Sequence, residues 1–117
     1  MAPFERLANE NFCYLTTIGR RSGKRHTIEI WFVRENGILY VLSGGGASAD
    51  WVRNLRKTPT VQVRIGVRTV TARAREVRAS EEDALARRLL DAKYMGWAPG
   101  KRLSSWARKA LPVAIDL

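Results

Sequence analysis

The sequence is poor in the residues that form disulfides and bind metals. It has one cysteine, Cys13, and one histidine, His26, among 117 residues. A single cysteine cannot close an internal disulfide. One cysteine and one histidine are also too few ligands for a zinc finger or an iron–sulfur site, so both are excluded. We therefore predict no metal site. Cys13 lies in an apolar segment and is expected to be a small buried side chain, and a structural role is the favoured interpretation of His26.

Long apolar segments are lacking as well. The longest one near the middle of the chain, residues 38–42, is far shorter than the ~20 residues that a transmembrane helix needs. The first residues also lack the basic segment and following apolar segment of a secretory signal. These two features predict a protein without a membrane span, located in the cytoplasm.

Acidic residues are few. The chain has 11 Asp and Glu against 21 Lys and Arg, which gives a formal net charge of +10. Such a charge attracts nucleic acid, an acidic membrane surface or a phosphorylated or polycarboxylate cofactor. The densest group of cations is Arg20, Arg21, Lys24 and Arg25, within six residues. This local concentration favours a small anionic ligand.

The length predicts one domain over residues 1–117, and alternating patterns predict most of it as strands. The Asn36-Gly37 pair predicts a two-residue hairpin, because both residues tolerate the positive φ of a type I′ turn. The other predicted strands are residues 12–18, a strand around 28–33, and 38–42, 61–65, 67–77 and 112–117.

Helical spacing is found in fewer segments. A short N-terminal helix is predicted from Phe4, Leu7 and Ala8, and another around Trp51 that ends before Pro59. Ser80 is predicted as the N-cap of a third helix, and residues 104–109 as a fourth. Five or six antiparallel strands with these helices predict an α+β fold, mainly β, in which a small β-barrel carries helices over its ends.

The segment between the first two predicted strands is the first candidate site. Glycines let backbone amides approach an anion, while arginine and lysine supply charge and directed hydrogen bonds. A phosphate or carboxylate would suit this segment, but so would an ordinary solvated turn. Its residues include Gly19, Arg20, Arg21, Ser22, Gly23, Lys24 and Arg25.

The second candidate site lies where a strand ends and a helix begins. The sequence there is Ser43-Gly44-Gly45-Gly46. Its amides could accept an anionic or carbonyl-bearing ring, although a flexible loop is the alternative. On the following helix, Trp51 and Asn54 are three residues apart and share a side. Trp51 could instead anchor the core, and Asn54 could brace a strand end.

Tyr94 and Trp97 form a third group, in a segment predicted to be irregular. They could line the mouth of a pocket or seal one end of the barrel. The sequence shows no catalytic triad, paired carboxylates or metal-ligand cluster. If the protein is an enzyme, a cofactor should therefore supply the reactivity.

Several of these motifs occur in an order that resembles the deazaflavin-dependent nitroreductase family, whose cofactor is coenzyme F420. They are LTTIGRRSGKR at residues 15–25, SGGG at 43–46, DWVRNL at 50–55 and PTVQV at 59–63. The resemblance implies a split β-barrel related to flavin reductases and pyridoxamine-phosphate oxidases. It also implies an oxidoreductase that transfers a hydride from reduced deazaflavin to an electron-poor small molecule, such as a nitroaromatic, a quinone or an enone.

The resemblance also implies roles for individual residues. Ser43 becomes the candidate catalytic residue, through a hydrogen bond to the ring or to the acceptor. Tyr94 and Trp97 become candidates for the acceptor side. The phosphate and oligoglutamate tail of the cofactor would be held by Arg20, Ser22, Gly23, Lys24 and Arg25, and the ring by Ser43, Gly44, Gly45, Gly46, Trp51 and Asn54.

Other partners remain open at this point. Related barrels bind FMN, and related barrels often form homodimers. A basic barrel could also hold single-stranded nucleic acid, with Arg73 and Arg75 on one strand face and Trp31 or Tyr40, if exposed, stacking on bases. A solvated strand face is the ordinary explanation of the two arginines, and nucleic acid is the less favoured partner.

Overall fold

The structure is a computed structural model and describes residues 10–117. The helix predicted from Phe4, Leu7 and Ala8 lies outside the described residues. Within them the chain forms seven strands and three α-helices. The strands are β1 (Cys13–Ile18), β2 (Arg25–Ile30), β3 (Val33–Glu35), β4 (Ile38–Ser43), β5 (Thr60–Ile65), β6 (Arg68–Glu76) and β7 (Leu111–Asp116); the helices are α1 (Asp50–Lys57), α2 (Ser80–Met95) and α3 (Ser105–Lys109).

The strands form one antiparallel sheet in the order β2-β1-β5-β6-β7-β4-β3. Its two edge strands, β2 and β3, are consecutive in the chain and are separated only by Trp31 and Phe32. Such a short connection is compatible with opposite edges only if the sheet curls round until they meet. The predicted small β-barrel is therefore confirmed.

Apolar side chains fill both faces of one part of this sheet. The barrel interior contains Leu15, Phe32, Val63 and Ile115, all with 0% exposure. On the outer side, α2 and α3 cover β4 and β7 through a second cluster of Tyr40, Leu42, Ala86, Leu90, Ala107 and Ala114. Burial on both sides explains the continuous apolar pattern of β4, where residues 39–43 are all buried.

Local sequence signals explain several turns. Asn36 and Gly37 have φ values of 50° and 77°, as the predicted type I′ hairpin requires. At the end of α2, Gly96 has φ 74° and adopts the left-handed conformation that terminates a helix.

Three predictions about local structure were wrong. The strand around residues 28–33 is interrupted at Trp31 and Phe32, where the barrel closes, and this raises the number of strands to seven. The N-cap of α2 is Ala79 rather than Ser80, because the first backbone bond of the helix joins Asp83 N–H to Ala79 O at 2.9 Å. Tyr94 belongs to α2 and not to an irregular segment, since no glycine or proline interrupts the helix before Gly96.

Candidate functional site

The turn between β1 and β2 is held in a defined shape by its own backbone. Gly19 N–H donates to Lys24 O at 2.7 Å, and Gly23 N–H donates to Gly19 O at 2.9 Å. Ser22 Oγ accepts the Lys24 N–H at 3.1 Å, which leaves the serine hydroxyl proton available. The side chains of Arg21, Ser22 and Lys24 are exposed. The turn thus presents two cations and a hydroxyl donor to solvent.

Helix α1 fastens this turn to the barrel through one buried amide. Asn54 is 4% exposed, and its Oδ1 accepts from the backbone N–H of Arg20 at 3.1 Å and from the Arg20 guanidinium at 3.0 Å. Asn54 Nδ2 donates to Thr17 Oγ1 on β1 at 3.2 Å. Lys57 Nζ adds a hydrogen bond to Arg20 O at 2.8 Å. Asn54 therefore braces the end of β1 and orders the turn that follows it.

An open cavity of about 700 Å³ lies between this turn, β2 and α1. Arg20, on its rim, is ion-paired with Asp50 at 3.1 Å, and the Asp50 side chain is 85% exposed. Trp51 and Ile28 form its apolar part, and both pack against the core of the barrel. The complete lining is Gly19, Arg20, Arg21, Ser22, Arg25, His26, Thr27, Ile28, Asp50, Trp51 and Asn54. We call this space the cationic cavity.

An aromatic cluster stands at the other end of β2. The rings of Trp31 and Tyr94 stack with centroids 4.4 Å apart and an angle of 1° between the planes. Trp106 meets Trp31 edge-on at 5.2 Å. Trp31 is 43% exposed, so part of this apolar surface faces solvent. A smaller cavity of about 240 Å³ adjoins it, lined by Glu29, Ile30, Trp31, Leu42 and Trp106. We call it the aromatic cavity.

The hydroxyl of Tyr94 supports the point where the barrel closes. It accepts the Phe32 N–H at 2.9 Å, and its own proton can go to Phe32 O at 2.9 Å or to Asn11 O at 2.7 Å. Lys93 Nζ also donates to Phe32 O, at 3.0 Å. Burial raises the pKa of Tyr94 to about 12, so its hydroxyl stays protonated at neutral pH. Both backbone groups of Phe32, between the two edge strands, are thus hydrogen-bonded to side chains of α2.

The loop that begins at Ser43 closes on itself. Ser43 is 1% exposed, and its hydroxyl donates to Gly46 O at 2.9 Å. Gly46 has φ 62°, a backbone conformation that glycine adopts without strain. Gly44 and Gly45 are exposed. In this arrangement Ser43 shapes the loop, and its contact with a ring or an acceptor stays a prediction.

The structure brings together part of the predicted site. The cationic cavity gathers five of the predicted cofactor residues: Arg20, Ser22, Arg25, Trp51 and Asn54. Among the described residues, neither cavity is lined by Gly23, Lys24, Tyr94, Trp97 or the loop residues Ser43, Gly44, Gly45 and Gly46. Their roles in binding stay predictions. Trp97 donates its indole N–H to Lys101 O at 2.8 Å and is half-buried.

Several cavity residues were not predicted. His26 and Ile28 could have been found from the alternation of β2, which places them on the same face. Asp50 could have been found as an acidic residue opening a helix in a basic neighbourhood. Trp106 had no local signal, because its neighbour Trp31 is far away in the sequence.

Most of the side chains that were proposed to contact a nucleic acid already bond to other residues of the protein. Tyr40 is 2% exposed and donates its hydroxyl to Glu82 at 2.7 Å, so it does not meet the condition of exposure under which it could stack on bases. Arg75 is paired with Glu82 at 2.7 Å and with Asp116 at 2.9 Å. Arg73 is exposed. Cys13 has 0% exposure, as predicted, and burial raises the pKa of its thiol to about 12.

No helix within residues 10–117 is long and apolar enough to cross a membrane.

Solved structures of other proteins share this fold. A structure of an F420-H2 dependent reductase (FDR-A) is 22% identical, covers 91% of this chain and 94% of its own, and has a TM-score of 0.68. A protein from Listeria innocua, named as a candidate pyridoxamine 5′-phosphate oxidase, is 17% identical over 96% of this chain and 87% of its own, with a TM-score of 0.70. A third, a domain-swapped dimer, is 25% identical over 91% of this chain and 80% of its own, with a TM-score of 0.69. The split-barrel fold is therefore confirmed.

A family model covers almost the whole chain. It is that of the F420H(2)-dependent quinone reductases, and it matches residues 4–117. The cationic cavity agrees with this match, because an anionic cofactor requires such a surface. The protein thus belongs to the F420H(2)-dependent quinone reductase family and is a deazaflavin-dependent oxidoreductase whose cofactor is coenzyme F420.

Proposed function

We propose that the protein reduces a planar, electron-poor small molecule with reduced coenzyme F420, and that a quinone is its preferred acceptor. Nitroaromatics and enones are the other acceptors of the same chemical class. The observation that carries this proposal is the adjacency of the cationic and aromatic cavities along one strand: residues 25–28 of β2 line the first, and Glu29 and Ile30 line the second.

The cationic cavity fits the coenzyme in its donor chemistry. Arg21, Ser22 and Arg25 offer guanidinium and hydroxyl donors to a phosphate or a carboxylate, and arginine can bind such groups with two parallel hydrogen bonds. Trp51 and Ile28 offer an apolar surface beside a planar ring. A volume of about 700 Å³ is in the range of cofactor pockets. Cationic and apolar parts thus match the two ends of one molecule.

Each predicted cofactor residue has a part in this proposal. Asn54 orders the turn so that its cations are in place before binding, which lowers the entropy cost of association. Gly23 and Lys24 lie in that turn, and Lys24 adds charge at its outer side. Ser43, Gly44, Gly45 and Gly46 lie in the loop that leads into α1, and their backbone would contact the ring of the coenzyme.

The aromatic cavity is suited to the acceptor. Aromatic faces prefer offset or edge-on neighbours, and the exposed part of Trp31 together with the Trp106 edge provides both arrangements for a flat ring. The adjoining Ile30 and Leu42 exclude water from one side. Tyr94 takes part indirectly, by stacking on Trp31 and fixing its plane.

The coenzyme, when bound, supplies the reactivity, a hydride for the electron-poor acceptor. The protein binds the two molecules close together and orients them, which accounts for much of the acceleration in such enzymes. The anionic end would be held by the turn before β2 and by Arg25 at its start, and the acceptor by Trp31, which follows the end of β2, and by Trp106. Solvent can provide the proton that completes the reduction.

The experiment is a steady-state assay of coenzyme oxidation with three acceptors. A naphthoquinone, a nitroaromatic compound and a cyclic enone would be compared by kcat/KM, with the release of oxidised coenzyme as the signal. We expect turnover with the quinone at the highest kcat/KM. If the protein binds the coenzyme tightly but oxidises it with none of the three acceptors, the proposed activity is refuted.

A further inference from the structure

The only histidine of the chain lies against the glycine that opens the cationic turn. A Cβ atom placed on Gly19 would be 2.7 Å from His26 Nε2 and 2.7 Å from Ser22 Oγ. The imidazole and the serine hydroxyl therefore converge on the space that Gly19 leaves free, and they lie at most twice that distance apart. Any side chain at position 19 would displace one of them.

The imidazole has hydrogen-bonding capacity to spare. His26 is exposed and lines the cationic cavity. Within the part of the chain that the structure describes, neither of its ring nitrogens makes a hydrogen bond. A protonated imidazole donates two N–H bonds, and a neutral one donates a single bond. An anion in the cavity would therefore find a donor here whose charge depends on pH.

The surroundings of His26 are strongly cationic. Three elements surround His26: the turn between β1 and β2, the start of β2 itself and helix α1. The charged groups that line the cavity are Arg20, Arg21, Arg25 and Asp50, while Lys24 lies in the turn and Lys57 of α1 donates to Arg20 O. Asp50 is the one carboxylate in this set, and it is paired with Arg20. A polyanion bound in the cavity would be attracted by these cations and would favour a positive charge on the imidazole.

We propose that His26 is a further coenzyme-binding residue and that its protonation strengthens the binding of the anionic coenzyme. This proposal rests on the proposed placement of coenzyme F420 in the cationic cavity. Histidine side chains change their charge between about pH 5 and 8, so the effect falls within the physiological range. Binding and protonation are linked, and each must favour the other by the same factor. Coenzyme affinity therefore rises as the pH falls.

Nuclear magnetic resonance can observe this residue without a mutation. Because the chain has one histidine, a tag-free, isotope-labelled sample gives imidazole C–H signals from His26 alone. We expect the midpoint of their pH titration to move upward by about 0.5–1 pH unit when coenzyme F420 saturates the protein. A midpoint that does not move on saturation would overturn the proposal.

Binding measurements with matched variants give an independent measure of the coupling between protonation of His26 and coenzyme binding. The dissociation constant of coenzyme F420 would be measured for wild type, His26→Gln and His26→Arg at about pH 5.5 and about pH 8.5. Dividing the dissociation constant of His26→Gln by that of the wild type at the same pH cancels any effect of titration of the coenzyme itself. We expect this ratio to be about three to ten at the lower pH and close to one at the higher pH. His26→Arg should bind as tightly as wild type at low pH and lose little affinity at high pH.

The two proposals fail in different ways. A ratio that is the same at both pH values, in a protein that binds the coenzyme, overturns the role of His26 alone. If the wild type fails to bind the coenzyme at both pH values, the proposed function is overturned, and with it this inference. Circular dichroism of the two variants establishes that they are folded, and the resonance experiment on wild type does not depend on them.

Discussion

Asn54 Oδ1 accepts two hydrogen bonds from Arg20, one from the backbone N–H at 3.1 Å and one from the guanidinium at 3.0 Å. One buried amide thus fixes both the path of the turn and the direction of its first arginine. Because Arg20 also reaches Asp50 at 3.1 Å and accepts a hydrogen bond from Lys57 at 2.8 Å, the turn is joined to α1 through three residues of the helix.

Removing this amide should affect stability and binding together. Asn54→Ala leaves the partly buried backbone N–H of Arg20 and the buried Thr17 hydroxyl without their partner. We expect the free energy of unfolding to fall by about 2–3 kcal/mol and the affinity for coenzyme F420 to fall about tenfold. Thr17→Val is the matched control, since it removes only the bond at 3.2 Å to Nδ2. It should lower stability with little effect on affinity, as urea unfolding and fluorescence titration would show. Equal losses of affinity in both variants would contradict the role of Asn54 in ordering the turn.

Asp50 should weaken coenzyme binding. Its carboxylate is 85% exposed and occupies Arg20, so it competes with an anionic ligand for that guanidinium. Since exposed ion pairs contribute little to stability, Asp50→Asn should leave the unfolding free energy almost unchanged. The affinity for coenzyme F420 should rise about two- to fivefold. A titration that shows weaker binding of the coenzyme by Asp50→Asn would mean that the ligand does not approach Arg20.

Much of this fold could be predicted from local patterns, whereas the site depends on long-range contacts. The hairpin at Asn36 and Gly37 needs only two residues with positive φ, and the strands follow from alternation. The barrel closure at Phe32 could not be predicted, because its backbone groups are satisfied by Tyr94 from a distant helix. The bond between Asn54 and Arg20 likewise joins segments whose separation in sequence conceals their contact.

The aromatic cavity and the sequence-based prediction indicate different tryptophans as the residue that binds the acceptor. Trp31 belongs to the exposed aromatic cluster, whereas Trp97 is half-buried and bonded to Lys101. We expect Trp31→Ala to raise the KM for a naphthoquinone about tenfold and Trp97→Ala to raise it less than about twofold. The dissociation constant of coenzyme F420 should change little in either variant. A larger increase of KM in Trp97→Ala would favour the sequence-based prediction.

The ionic network at the start of α2 predicts sensitivity to acid. Hydrogen bonds from Arg75 and Tyr40 lower the pKa of Glu82 from 4.5 to about 2. Because the pKa is lower in the folded chain, this carboxylate stabilises the fold above about pH 4.5, and the contribution is lost as the pH falls towards 2. Between about pH 6 and about pH 3, the wild type should therefore lose about 1–2 kcal/mol more unfolding free energy than Glu82→Gln. Glu81→Gln, exposed and adjacent, should behave as wild type in the same urea titrations.

The central claim is that coenzyme F420 binds in the cationic cavity through specific cations rather than through the net charge of +10. The most direct test compares two double variants that remove the same charge. Arg21→Gln with Arg25→Gln alters the cavity, while Arg68→Gln with Arg73→Gln alters exposed positions on β6. At constant salt, fluorescence titration with the oxidised coenzyme should show affinity reduced at least about tenfold in the first variant and less than about twofold in the second. Equal reductions in the two variants would show that binding follows overall charge, and would contradict the account.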